Sequence, residues 1–309
     1  MTIIQTIIIA IVEGLTEFLP VSSTGHMILA QALLGIESTD FVKMFTVNIQ
    51  FGAILSVIVL YFKRFVSVNP IKIFEKFEKE NRNENLTFLG KINFSGKHFF
   101  RKISFYLKRF LEKFNFYKIL FIAFVPAAVL GFIFSDYIDK LLESVHVVAV
   151  MLIVGGVFML FVDKWFNAPS SNQEIDWLRA LKIGFCQCIA MIPGVSRSMA
   201  TIAGGMGSKL TRKNAAEFSF FLAVPTMAAA SGYSLLKLLK TAEGAKLFTD
   251  NWMELLLGNA VAFAVAMLAI KFFIDFITKF GFKFFGWYRI VVGLIIISLL
   301  LANVNLSVI

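Results

Sequence analysis

Charge is scarce in this chain. Asp, Glu, Lys and Arg make up only 16% of its 309 residues, against about 25% in ordinary soluble domains. Hydrophobic residues make up 58% and the mean hydropathy is +0.78. This balance excludes a soluble enzyme, a disordered chain and a nucleic-acid module of the usual kind, because much of a soluble protein's surface must face water. The solvent for most of the chain is therefore lipid. Cysteine is nearly absent. Cys186 and Cys188 stand at i and i+2, point in different directions on a helix, and offer neither a disulfide nor a zinc framework. They read as small apolar core residues. The first residues, 1–11, are apolar but lack a basic n-region and a small-residue cleavage site, so they are expected to belong to the mature membrane domain.

The charge that is present leans basic, with a net of +10. Between Lys63 and Lys118, fourteen Lys and Arg face five Asp and Glu, so one segment carries nearly all the excess. In a membrane protein this marks a cytoplasmic loop rather than a nucleic-acid partner. Its alternation, as in Lys102-Ile103-Ser104-Phe105-Tyr106-Leu107-Lys108-Arg109-Phe110, predicts basic amphipathic helices lying on anionic membrane lipid.

Apolar runs long enough to span a bilayer lie at roughly 44–62, 118–135, 145–163, 253–272 and 287–304, and a sixth at 215–238 contains Pro225, expected to kink it. Two further apolar regions, 1–34 and 180–206, are broken by polar centres into pieces of about 10–15 residues, too short to cross a bilayer. Each break holds a proline followed by hydroxyls: Leu19-Pro20-Val21-Ser22-Ser23 and Ile192-Pro193-Gly194-Val195-Ser196. The fold expected is an all-α polytopic membrane protein with about six spans and two re-entrant helical hairpins. It forms one membrane domain of two repeats, 1–166 (with the basic insertion at 63–118) and 177–309, the second inverted because each copy has an odd number of spans. Such architectures place their site near the midplane, where the broken segments meet. Placing 63–118 inside also places loops 164–182, 208–213 and 271–289 inside, with Lys271, Lys279, Lys283 and Arg289 counted among their charges. Both termini then lie outside and the first hairpin opens outward.

Ionisable residues at membrane depth are functional candidates by default. The first cluster is Glu13-Gly-Leu-Thr-Glu17-Phe-Leu-Pro-Val-Ser-Ser-Thr-Gly-His26. Glu13 and Glu17, at i and i+4, share a helix face. Two carboxylates so close must hold a proton or a cation between them, and a divalent ion that takes oxygen ligands, Mg²⁺ or Ca²⁺, suits them. His26, beside two acids and three hydroxyls, suits proton transfer.

The second cluster is Pro193-Gly-Val-Ser-Arg-Ser-Met-Ala-Thr201, in which Arg197 reads as the only arginine inside an apolar region away from a boundary. An arginine, hydroxyls and the N–H groups of a starting helix are equipment for holding phosphate. Together the clusters offer metal, base and phosphate clamp, and a membrane setting implies a substrate with a lipid tail.

These two stretches resemble the signature motifs of bacterial undecaprenyl pyrophosphate phosphatases of the bacitracin-resistance type, and the likeness extends through Glu217-Phe-Ser-Phe-Phe-Leu-Ala-Val-Pro225. The resemblance implies a multi-pass hydrolase of the bacterial inner membrane. It would convert undecaprenyl pyrophosphate to the monophosphate carrier and inorganic phosphate, sustain peptidoglycan synthesis, require a divalent cation and open its site to the periplasmic side. It further implies that Glu13 and Glu17 hold the metal and activate the attacking group, and that Ser23 and His26 supply nucleophile or proton transfer. Arg197 would bind phosphate, with Ser196, Ser198 and Thr201 as hydroxyl partners. Two features depart from the family: Met199 stands where glycine is usual, and 63–118 is long. The polyprenyl pyrophosphate lipid is the partner expected, and a homodimer is left open. Inverted repeats also suit a secondary transporter or lipid flippase, the alternative function. A phosphatidic-acid-phosphatase type is disfavoured, because no histidine follows Arg197.

Overall fold

The computed structural model describes residues 1–65, 114–142, 144–304 and 306. Among these, helices are the only regular elements. The principal ones are α1 (Ile3–Thr16), α2 (Ser23–Leu33), α3 (Asp40–Leu60), α4 (Phe114–Ile133), α5 (Val145–Trp165), α6 (Trp177–Ile189), α7 (Arg197–Gly207), α8 (Arg212–Leu239), α9 (Trp252–Phe280) and α10 (Lys283–Leu301). Short helices Phe62–Phe65, Ser135–Leu142 and Ala242–Asp250 lie between them. The order short, short, long, long, long thus occurs twice. The six long helices are apolar enough to cross a membrane, and at 1.5 Å per residue even the shortest approaches the ~30 Å bilayer core. The chain is therefore a polytopic membrane protein. Large apolar side chains lie open on its outside, Leu33 at 83% and Phe132 at 80% exposure, as lipid-facing residues do.

Local chemistry sets the ends. Thr2 and Gln5 form a capping box at the start of α1. Ser144, Asp176 and Thr211 cap α5, α6 and α8. Pro225 lies inside α8 without ending it, as expected of a proline whose lost hydrogen bond neighbouring helices can offset.

Small residues bring the long helices together. A Cβ on Gly156 would sit 2.8 Å from the Gly286 carbonyl oxygen, and one on Gly286 would sit 2.8 Å from that of Gly156, so α5 and α10 meet backbone to backbone. The short helices exchange partners: α1 lies against α9 at Gly14 and Ala262, and α6 against α4 at Gly184 and Ala123. Polar side chains tie the spans, with Asn259 donating to Asn48 and Ser231 to Gln50. From the first helix break inward, Phe18, Phe220, Phe273 and Phe285 form a chain of edge-on and tilted rings 5.4–5.9 Å apart.

The inner loop placed at 271–289 is a turn confined to residues 281–282, because α9 runs to Phe280 and α10 starts at Lys283. Lys271, Asp275 and Lys279 repeat every four residues along an exposed face of α9, where long cationic side chains reach water from an otherwise apolar helix. Arg289 is no loop charge at all: it lies within α10 and is fully buried. Cys186 and Cys188 are free and partly buried on α6. Of the basic segment 63–118, residues 66–113, and with them the expected amphipathic helices, lie outside the described residues.

Candidate active site

The two breaks are built alike. Helix α1 ends at Thr16, four residues before Pro20, and α6 ends at Ile189, four before Pro193. Each following helix starts directly after a serine in the left-handed region, Ser22 at φ 70° and Ser196 at φ 74°. A non-glycine residue there is uncommon and persists only where its surroundings hold it.

Across these turns the acids meet the arginine. Arg197 Nη2 stands 3.5 Å from Glu17 Oε1, both side chains about nine-tenths buried. The other carboxylate oxygen, Glu17 Oε2, accepts a 2.7 Å hydrogen bond from Ser23 Oγ. Arg197 Nη1 donates to the Ser219 carbonyl at 3.1 Å, and the Phe18 ring lies 5.8 Å beneath the guanidinium carbon. Three atoms are left without a hydrogen-bond partner: Arg197 Nε, Arg197 Nη2, whose contact with Glu17 is an ion pair only, and Glu13 Oε1. Glu13 is buried one turn before Glu17 on α1. Orphaned buried donors and acceptors are rare in native proteins and call for a ligand or water.

Not every expected residue lies open to this space. Ser198 and Thr201 are fully buried. Ser198 Oγ donates to the Leu19 carbonyl at 2.8 Å, with Ser196 Oγ 3.1 Å away. Thr201 Oγ1 donates to the Arg197 carbonyl at 2.8 Å and lies 2.6 Å from Ser219 Oγ. These hydroxyls join the second turn to the first and to α8. His26 bonds to neither carboxylate. Its Nδ1 donates to the Ser22 carbonyl at 2.8 Å, since a carbonyl can only accept. In the neutral ring Nε2 then accepts from the Tyr288 hydroxyl at 2.7 Å. The two rings are stacked, 9° from parallel.

Three residues escaped the sequence reading: Ser219, whose carbonyl holds Arg197, Tyr288 and Arg289. Ser219 lay within the third motif quoted above. Tyr288 and Arg289 carried no signal beyond a polar pair near the start of an apolar run.

For a divalent cation the donors suit a site completed by its substrate. Among the described residues no group of three or more His, Cys, Asp or Glu side chains gathers. Glu13 and Glu17 offer two carboxylates, one with a free oxygen, and Mg²⁺ sites commonly pair one or two carboxylates with substrate phosphates.

A family model described as bacitracin resistance protein BacA matches residues 6–295. Among curated relatives, an undecaprenyl-diphosphatase of Porphyromonas gingivalis is 54% identical over the whole of both chains. One of Flavobacterium johnsoniae is 49% identical over 96% of each, and one of Bdellovibrio bacteriovorus 45% identical over the whole of both. The end-to-end matches include the basic segment, so its length is not peculiar to this chain.

Proposed function

The chain belongs to the bacitracin resistance protein BacA family, and from that membership and the geometry of the two turns we infer that it is an undecaprenyl-diphosphatase. It hydrolyses undecaprenyl pyrophosphate to undecaprenyl phosphate and inorganic phosphate, and so confers bacitracin resistance. The observation that carries this is the 3.5 Å meeting of Arg197 with Glu17 across two helix breaks, with unpartnered Arg197 and Glu13 atoms beside it.

The site residues divide the work. Arg197 Nε and Nη2 and Ser196 bind the terminal phosphate, where negative charge grows in the transition state. Ser198 and Thr201 serve that phosphate by fixing Arg197 and the turn. Ser23 is the nucleophile and Glu17 its base, a pairing supported by their 2.7 Å hydrogen bond. The seryl oxygen bonds to the terminal phosphorus, the bond from that phosphorus to the bridging oxygen breaks, and undecaprenyl phosphate departs while Glu17 takes the seryl proton. Water then bonds to the phosphorus, and both of its protons stay on the phosphate oxygens. The Ser23 oxygen leaves with the proton returned by Glu17, and inorganic phosphate is released. His26, turned toward Ser22 and Tyr288, serves the second step by ordering that water and its protons. Glu13 and Glu17 would hold a divalent cation, Mg²⁺ or Ca²⁺, which when bound neutralises diphosphate oxygens.

The paired short helices support two re-entrant hairpins, and the exchanged packing of α1 with α9 and α6 with α4 supports repeats at 1–166 and 177–309 of opposite orientation. The protein lies in the bacterial inner membrane with its site open to the periplasmic side, the basic segment inside.

Phosphate release from polyprenyl pyrophosphate by purified protein in detergent tests this reading. No gradient exists there, so a transporter or flippase releases none, whereas the hydrolase does. A chelator lowers the rate, and an unchanged rate removes the cation from the scheme.

A further inference from the structure

Arg289 is the largest fully buried side chain among the described residues. The two ion pairs found there involve Arg197 and Arg212, not Arg289. Its charge is met by backbone carbonyls instead. Nε donates to Leu152, Nη1 to Pro20 and Val195, and Nη2 to Met151 and Gly194, at 2.6–3.3 Å. A guanidinium has five N–H donors, and here five carbonyls take them. Two belong to α5, one to the first turn and two to the second.

The places it grips matter. Val195 directly precedes Ser196, and Pro20 lies two residues before Ser22, the two serines in left-handed backbone. In a trans peptide the C=O and the following N–H point in opposite directions. With the Val195 carbonyl turned to Arg289, the Ser196 N–H is turned away from it. Room for the guanidinium depends on Gly155, where a Cβ would collide with Nη2. The Met199 sulfur, 3.3 Å from Nη1, closes the cage, which gives a physical role to the residue that stands where the family usually has glycine.

We propose that Arg289 is the positioning residue of the active site: one buried guanidinium clamps both catalytic turns to α5 and sets the backbone polarity that lets Ser196 and Arg197 receive phosphate. This rests on the hydrolase reading above. Arg289 does not touch substrate. It holds the left-handed serines that no local sequence preference would hold.

The test uses full-length protein in detergent. Arg289→Lys keeps the charge but cannot reach five carbonyls. Gly155→Ala keeps Arg289 and displaces it. Each variant is expected to lower kcat roughly 100-fold, as small misplacement of reacting groups does, with KM for the lipid little changed, when assayed at a temperature where the variant remains folded, since buried carbonyls left without donors lower the melting temperature. Hydrogen exchange should quicken at residues 194–198 in both variants. If Arg289→Lys proves too unstable to assay, Gly155→Ala decides. Undiminished kcat, or turns that stay protected, overturns the clamp. A loss confined to KM also overturns it. Wild-type protein that releases no phosphate would overturn the hydrolase reading instead, while the exchange measurement still judges the clamp.

Discussion

The two helix breaks share a backbone and differ in what they leave unsatisfied. Ser22 and Ser196 take nearly the same left-handed φ, and each precedes a helix of eleven residues. In the first break the polar groups are largely partnered: Ser23 donates to Glu17, and His26 is held by Ser22 and Tyr288. In the second, Arg197 keeps two nitrogens without a hydrogen bond although the residue is buried. A repeated scaffold thus brings an acid and its hydroxyl from one side and underused positive charge from the other. On the proposed reading, this difference assigns the substrate's phosphate to the second turn and the attack on it to the first.

Removing the positive charge should break this division most severely. Arg197→Ala is expected to cut phosphate release about 10⁴-fold, within the range for an arginine that stabilises a phosphoryl-transfer transition state. The fold should survive, because Ser198 still bonds the Leu19 carbonyl and Arg289 still holds carbonyls of both turns. Retained turnover in the purified, folded variant would strip Arg197 of its role.

On the acidic side, Ser23→Ala sharpens the comparison. If the seryl oxygen attacks phosphorus and Glu17 takes its proton, turnover falls about 10³-fold, within the range for proton-transfer pairs. Quenched wild-type reactions should then yield a phosphorylated peptide containing Ser23, absent from the variant. A loss of only about tenfold, the scale of one hydrogen bond, would mean that water attacks directly.

Much of this was legible because lipid makes polar residues conspicuous. Glu13, Glu17, His26 and Arg197 stand out in apolar runs, and the proline–serine breaks beside them read as paired. The spans were legible for the same reason, to within a few residues except at the end of α9. There the lysines at 271 and 279 looked like a loop but lie on an exposed helical face. Arg289 was illegible for a different reason. It stands six residues after Lys283 and so resembled a boundary charge, and its partners Pro20, Met151, Gly194 and Val195 are carbonyls that any residue type supplies. No sequence pattern marks a backbone acceptor 94 to 269 positions away. Ser198 and Thr201 read from the sequence as hydroxyl partners of Arg197, but their complete burial, with bonds to Leu19 and Arg197, required the fold.

The smallest expected effect concerns Tyr288, which together with Arg289 links the first break to α10. Its hydroxyl is the partner of His26 Nε2, while its ring stacks on the imidazole. Tyr288→Phe keeps the stack and removes only the hydrogen bond. Since Nδ1 remains fixed by the Ser22 carbonyl, the ring should stay in place with Nε2 unpartnered. The cost is that of one hydrogen bond, about 1 kcal/mol, or roughly fivefold in turnover, with melting temperature unchanged. Tyr288→Ala also removes the stack and should cost more. Equal rates for Tyr288→Phe and wild type would mean that His26 needs no partner at Nε2. A collapse of the Phe variant to the level of Arg197→Ala would instead move Tyr288 from the edge of the site into the reaction itself.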